Sequence, residues 1–300
     1  MNTRTDRQPT ALRPLALSQG TLSRADGSAQ FSFGSVAVLA SLTGPAEVRI
    51  RDELVDRATL EVNVRPLRGA GGPHIKLVEQ TLATLLTPLI LLHLYPRALL
   101  QLTLQTVSSP STVFSKAFST DPNLVADVKG KGKAPVGTGA GAGEKAARIN
   151  AAMMALVDAG VQCRGMLVAV AVAFVPTGED GEEEMRLDPT PAEEDEATST
   201  HVFAFSFGQG VGGADGTCVG AESVGTFSED QLFDAQDLAQ TATQTILAFI
   251  RKSVETKYGV AGAPPPAQTR PLAEAAAEGD VELKSAGREE DSDDDVMIDA

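Results

Sequence analysis

Apolar and polar residues alternate along several stretches of this chain. Leu60, Val62 and Val64 are interleaved with Glu61, Asn63 and Arg65, and Leu100, Leu102 and Leu104 with Gln101, Thr103 and Gln105. A period of two sends successive side chains to opposite faces, so each stretch predicts a half-buried strand. Phe31, Phe33 and residues 36–42 predict a pair of strands broken near Gly34. Residues 166–175 are continuously apolar, which fits a strand covered on both faces. Two further strands are predicted at 202–207 and 216–225.

Three stretches carry the helical period instead. Ile75, Val78, Leu82, Leu85 and Leu89 recur at helical spacing behind Pro73, a good first-turn residue, and Pro88 should kink or interrupt that helix. Residues 145–159 place Ile149, Met153, Leu156 and Val157 on a helix that Gly160 is suited to end. The last helix begins with Ser228 and Gln231 at capping-box spacing, with Phe227 and Leu232 placed to form a hydrophobic staple. Leu232, Ala235, Leu238, Ala242, Ile246 and Phe249 then mark its apolar stripe, which runs out near Gly259. Strands and helices in this order predict an α+β domain with helices packed on a mixed sheet.

Composition refines the picture at the ends and in two inserts. The hydrophobic fraction of 42% suffices for a core, and no stretch approaches the length of a transmembrane helix. Residues 1–14 lack an apolar run, so no secretory signal is expected, and Cys163 and Cys218 are expected as reduced thiols. The net charge of −15 is concentrated in residues 176–200 and 271–300, each at −9, so the remainder is slightly basic and contact with RNA stays open. The organisation expected is a flexible N-terminus at 1–11 and one domain over 12–258. Disordered inserts are expected at about 109–143 and 176–200, and a disordered acidic tail at 259–300.

Particular residues carry a resemblance. Leu12-Arg-Pro14, Gly20, Ala25-Asp-Gly-Ser28, Gly34-Ser-Val36 and Thr43-Gly-Pro45 are similar to the opening of RNase PH-like proteins. Arg51-Asp-Glu53, Leu60-Glu-Val-Asn-Val64 and Ile149-Asn-Ala-Ala152 with Asp158-Ala-Gly160 continue the match. Leu86-Thr-Pro-Leu89, His93-Leu-Tyr-Pro96 and Leu187-Asp-Pro-Thr190 with Glu193 resemble silent ring members of the eukaryotic RNA exosome core. The resemblance implies an RNase PH-like fold of the ribosomal-S5-like β-α-β-α type. It implies a structural role in RNA processing and degradation within a ring of paired RNase PH-like chains. S1 or KH cap subunits and RNA threaded through the pore would be further partners, in the nucleus, nucleolus and cytoplasm, with no membrane involved. The alternative it leaves is a divergent phosphorolytic 3'-to-5' exoribonuclease.

Phosphorolysis needs donors for an oxyanion at a helix N-terminus, a divalent metal held by acidic residues, and arginines on the RNA backbone. Where active relatives carry Ser-Arg or Thr-Arg before the second helix, this chain has Gly141-Ala-Gly-Glu144-Lys145. Glu144 suits a helix start but repels phosphate. Only Lys145 and Arg148 lie nearby as cations, and the second family aspartate is absent from Thr198-Ser-Thr-His201. No catalytic residue, metal site or cofactor is therefore expected, and Asp188 is expected to be structural. Arg65, Arg68 and Arg97 are the candidate RNA contacts, with ordinary surface roles as the competing reading. Lys129-Gly-Lys-Gly-Lys133 fits a solvated loop better than an RNA clamp. Gly208-Gln-Gly-Val-Gly-Gly213 fits a hairpin better than a dinucleotide fingerprint, since no helix pattern follows it. His74, His93 and His201 lack metal-ligand spacing and are expected in surface or packing roles.

Overall fold

A computed structural model describes residues 7–67, 73–110, 141–177, 183–208 and 213–259. The chain divides into two units, Met1–Arg251 and Lys252–Ala300; the described part of the second is the end of the last helix and Gly259.

The first unit contains two sheets. The alternating segments form a five-stranded sheet in the order β1-β2-β3-β5-β4, from β1 (Leu15–Gln19), β2 (Gly27–Phe33), β3 (Val36–Glu47), β4 (Thr59–Arg65) and β5 (Ala98–Ser108). All neighbours are antiparallel except β4 and β5, which run parallel and therefore need a crossover. Helix α1 (Pro73–Leu86) supplies it. The expected kink at Pro88 is instead a stop, because the helix ends two residues before the proline. Gly34 turns β2 into β3 at φ +54°. Thr43-Gly-Pro45, expected to end a strand, is an irregularity that β3 crosses, and the strand continues to Glu47.

The second sheet is antiparallel, in the order β7-β6-β8-β9, from β6 (Met166–Pro176), β7 (Glu183–Leu187), β8 (Ser199–Gly208) and β9 (Gly213–Gly225). The mixed sheet expected from the sequence is the five-stranded one, and this antiparallel sheet stands beside it. Gly208 pairs with Gly213 in an antiparallel ladder, so the glycine motif joins a hairpin rather than opening a helix.

Helix α2 (Ala142–Asp158) is the centre of the core. It packs against β2 and β3 of one sheet and β6 of the other, so residues 142–156 are all buried. A central strand or helix of this kind has no solvent face, which explains the run of alanines at its contacts. Gly27 lets β2 approach closely: a Cβ there would lie 2.4 Å from the Ala159 nitrogen and 2.5 Å from the Ala155 carbonyl oxygen. Asn150, buried at the same interface, donates to the Ala169 carbonyl at 2.9 Å and accepts from its amide at 2.8 Å, satisfying its amide group. Gly160 follows the helix at φ +71°.

A short helix α3 (Pro191–Glu196) follows β7, and the long α4 (Glu229–Tyr258) closes the fold. Gln231 donates to Glu183 of β7 at 2.7 Å and Gln240 to the Asp215 carbonyl of β9 at 2.9 Å, so α4 crosses the second sheet from one edge strand to the other. The Ser228–Gln231 capping box forms, with both bonds present at 2.8 and 3.3 Å. The buried stripe of α4 is Ala235, Ala239, Ala242, Thr243, Ile246, Leu247 and Ile250, a face rotated from the one read in the sequence; Leu232, Leu238 and Phe249 sit at its margin.

Two disordered segments expected from composition are corrected. Residues 183–200, read as part of an unstructured insert, form β7, α3 and the start of β8, because their acidic side chains find arginine and amide partners. Residues 7–11, read as flexible, are anchored: Pro9 accepts from the Leu187 amide at 2.8 Å and Arg7 donates to the Asp188 carbonyl at 2.6 Å. Residues 111–140 and 260–300, which include Lys129–Lys133 and the acidic tail, lie outside the described residues.

Candidate functional site at the start of helix α2

The first turn of α2 is where oxyanion donors are needed. Gly141 precedes it in extended backbone (φ −63°, ψ 160°) and the amides of the first turn have no intrahelical acceptors. Glu194, on α3, accepts from the Gly143 amide at 2.8 Å, so the chain's own carboxylate caps the helix. Gly141 and Gly143 permit this approach, since a Cβ on Gly141 would lie 2.1 Å from Glu194 Oε2. Burial pushes the Glu194 carboxyl from 4.5 up to about 7, against the opposing pull of the helix amides and Arg13.

The cations near this turn are likewise matched. Glu144 is buried, accepts from Thr106 Oγ1 at 2.7 Å and pairs with Arg148 one turn along α2. Arg148 also donates to Thr106 Oγ1 at 3.2 Å, and burial pushes its guanidinium below its ordinary value. Lys145 Nζ pairs with Glu222 Oε1 at 2.5 Å. An arriving phosphate would therefore meet the Glu144 carboxylate and a Gly143 amide already bonded to Glu194, and Lys145 and Arg148 are each engaged with an anion already.

Asp188 is claimed in the same way. It is buried at φ +48°, and Arg13 grips it through Nε at 2.8 Å, Nη2 at 2.5 Å and the backbone amide at 2.9 Å. Arg7 adds a contact to the same carboxylate at 3.5 Å. Three donors from Arg13 and the contact from Arg7 occupy most of the acceptor sites of this carboxylate. Thr190 and Glu193 form a complete capping box for α3, and Arg186 links Glu193 and Glu184 at 3.1 and 2.7 Å. Among the described residues no group of three or more His, Cys, Asp or Glu is arranged to hold a metal ion.

The family model for the 3' exoribonuclease family, domain 1 (RNase PH), matches residues 11–162, which span every element from β1 through α2. The chain belongs to the RNase PH family. Its relatives include the exosome complex component RRP46 of Saccharomyces cerevisiae, 32% identical over 79% of this chain and 93% of that protein. The exosome complex exonuclease RRP46 homolog of Arabidopsis thaliana is 27% identical over 85% of this chain and 97% of that one. The crystal structure of rice (Oryza sativa) Rrp46 superimposes with a TM-score of 0.65 at 26% identity, covering 83% of this chain and 98% of that chain. The α+β RNase PH-like fold read from the sequence is the fold observed.

Within this RNase PH fold the candidate RNA contacts are not brought together. Arg65 is exposed at the end of β4, opposite Gln105 of β5. Arg97 lies just before β5, at φ +59°, 65% exposed and paired with Glu53 at 3.3 Å. Eight positions of an extended strand separate the two levels, about 26 Å. Arg68 lies outside the described residues. Two of the three histidines expected in surface or packing roles have described side chains. His93 is exposed, while His201 is fully buried, with its ring nitrogens on Ser199 Oγ at 3.1 Å and Ser223 Oγ at 2.8 Å. Phe174, Phe203 and Phe227 surround that ring, and burial lowers its pKa, so it is a neutral packing residue. Phe227, expected in a helix staple, packs edge-on against His201 with centroids 4.8 Å apart. Cys163 and Cys218 are free and half-buried; burial pushes Cys163 up to about 11, which suppresses its thiolate.

The residues that sequence reasoning missed are Glu194, Arg13 and Glu222. Glu194 stood in an acidic run that read as a solvated segment, and Arg13 lies 175 positions from its partner Asp188. No local pattern links residues so far apart.

Proposed function

We propose that this chain is a structural subunit of an RNA exosome ring, pairing with other RNase PH-like chains and lacking phosphorolytic turnover of its own. The observation that carries this reading is the Glu194 carboxylate on the Gly143 amide, with Glu144 beside it, at the helix start that an oxyanion would need. Donors already satisfied by internal carboxylates are not free to hold a phosphate nucleophile. The named relatives from yeast and plants, described as exosome components, support the assembly. In this reading a single RNase PH-like domain spans 12–258. Its neighbours are other ring chains and S1 or KH cap subunits, RNA threads the pore, and the complex works in the nucleus, nucleolus and cytoplasm.

Light scattering of the chain alone and mixed with candidate RNase PH-like partners tests the scaffold role. A heterodimer that grows into a ring with further subunits is the expected outcome. A folded monomer indifferent to every partner would sink it. Phosphate-dependent shortening of oligoadenylate by the pure chain would instead favour the divergent exoribonuclease, a reading that the word exonuclease in the plant relative's name keeps in view.

A further inference from the structure

Strand β9 forms one edge of the second sheet, with β8 on its inner side. The ladder between them pairs Thr217 with Ser206 and then Gly213 with Gly208, so residues 214–216 stand opposite Phe207 alone. Extra residues of this kind bulge out of the ladder, and their backbone groups lose their regular partners. Asp215 lies in that bulge and is exposed, and Gly216 follows it at φ +80°. Glycine holds such a φ without strain, and a Cβ there would lie 2.5 Å from the Phe207 ring. Gln240 of α4 donates to the Asp215 carbonyl at 2.9 Å. That bond polarises the peptide unit joining Asp215 to Gly216 and makes the Gly216 N–H more acidic.

These features favour one reaction that needs nothing but water. The Gly216 nitrogen attacks Cγ of the protonated Asp215 carboxyl. An N–Cγ bond forms, the N–H proton and the carboxyl hydroxyl leave together as water, and a five-membered succinimide results. Water then opens the ring. Breaking the bond from nitrogen to Cγ restores aspartate. Breaking the original peptide bond instead leaves the chain running through Cγ and frees the former backbone carbonyl as a carboxylate, which is isoaspartate.

The chain supplies its own control. Asp-Gly pairs stand at 26–27, 180–181 and 215–216, and the second lies outside the described residues. The first and third have nearly the same neighbours, Ala25-Asp-Gly-Ser28 and Ala214-Asp-Gly-Thr217, so local sequence does not separate them. Their settings do. Asp26 Oδ2 accepts from the Gly44 amide at 2.8 Å, and the Asp26 amide donates to the Leu42 carbonyl at 3.0 Å. Gly27 is buried in register with Leu42 of β3 and pressed against α2, so neither the carboxylate nor the nitrogen at that pair is free to move.

We propose that Asp215–Gly216 is a site of spontaneous isoaspartate formation, whose freed carboxylate is a substrate for methyl esterification by an S-adenosylmethionine-dependent isoaspartyl methyltransferase. The change adds a backbone carbon to an edge strand at the residue that Gln240 ties to α4. It is independent of ring assembly and of phosphate chemistry.

The full chain, held in mildly acidic buffer at body temperature, is sampled over weeks and digested with a protease that cuts before aspartate but not before isoaspartate. The cut at Asp215 should be lost about tenfold faster than the cut at Asp26, the ratio that about 1.4 kcal/mol of easier local opening represents. The uncut peptide should keep its mass and accept one methyl group from the methyltransferase. In guanidinium, where the bulge and the β2 contacts are both gone, the two cuts should be lost at equal rates. Asp215→Glu keeps the charge but cannot close the five-membered ring, and should end methyl uptake by that peptide. Equal rates at the two pairs in the folded chain, a preference for Asp215 that persists in guanidinium, or a cut at Asp215 that stays complete would overturn the proposal.

Discussion

Glu194→Gln isolates the carboxylate that caps α2. Glutamine keeps an oxygen for the Gly143 amide and removes the titration. In the unfolded chain the carboxyl loses its proton near 4.5, while in the fold burial holds the proton until about 7. Between those values the folded state binds more protons than the unfolded one, so the wild-type chain loses stability as pH rises through that window. Below 4.5 both states are protonated and the contribution is complete; above about 7 it is gone. At about 1.36 kcal/mol per pH unit the full displacement corresponds to about 3 kcal/mol. The carboxylate is only partly buried, and solvent screening reduces this to about 1–2 kcal/mol. Urea unfolding of both chains from pH 4.5 to 8.5 at fixed ionic strength reads it directly. The variant should gain about 1–2 kcal/mol on the wild type across that range. A difference flat in pH would refute the reasoning. A variant that loses ground as pH rises would mean that the helix amides and Arg13 outweigh burial and keep Glu194 ionised.

Asp188→Ala leaves the Arg13 guanidinium, 7% exposed, without its carboxylate, and should cost about 3–5 kcal/mol in chemical denaturation; a loss below about 1 kcal/mol would show the pair to be incidental. Gly27→Ala drives a methyl into α2 backbone on two sides, at 2.4 and 2.5 Å, and should cost about 1–3 kcal/mol by thermal melting. An unchanged Tm would mean that α2 can back away from β2. Arg65→Ala and Arg97→Ala should each reduce the salt dependence of RNA binding by about one phosphate, additively, because about 26 Å separates them. Arg97 has the weaker claim, since Glu53 already holds it, and an unchanged slope in either variant removes that residue from the RNA surface.

The local patterns were decisive wherever a physical cause acts over a few residues. The alternation at Leu60–Val64 and Leu100–Leu104, the continuous apolar run of β6 and the Ser228–Gln231 box each predicted an element that is present, because period and capping are properties of adjacent positions. Glu144 and Lys145 are adjacent in the sequence, but their partners Thr106 and Glu222 lie far along the chain. Composition misled at 183–196: an acidic, proline-containing run reads as disordered until Arg186, the α2 amides and the Thr190 cap are brought to it. The five-residue β1 gave too little pattern to detect on its own; its pairing with β2 defines it. Only the tertiary structure decided that Glu194 caps α2, that Arg13 commits Asp188, and that Lys145 pairs with Glu222 of β9. Each of these depends on bringing together residues far apart in sequence. Burial then sets the cost of leaving any one of them unpaired, and that cost has no trace in the order of the amino acids alone.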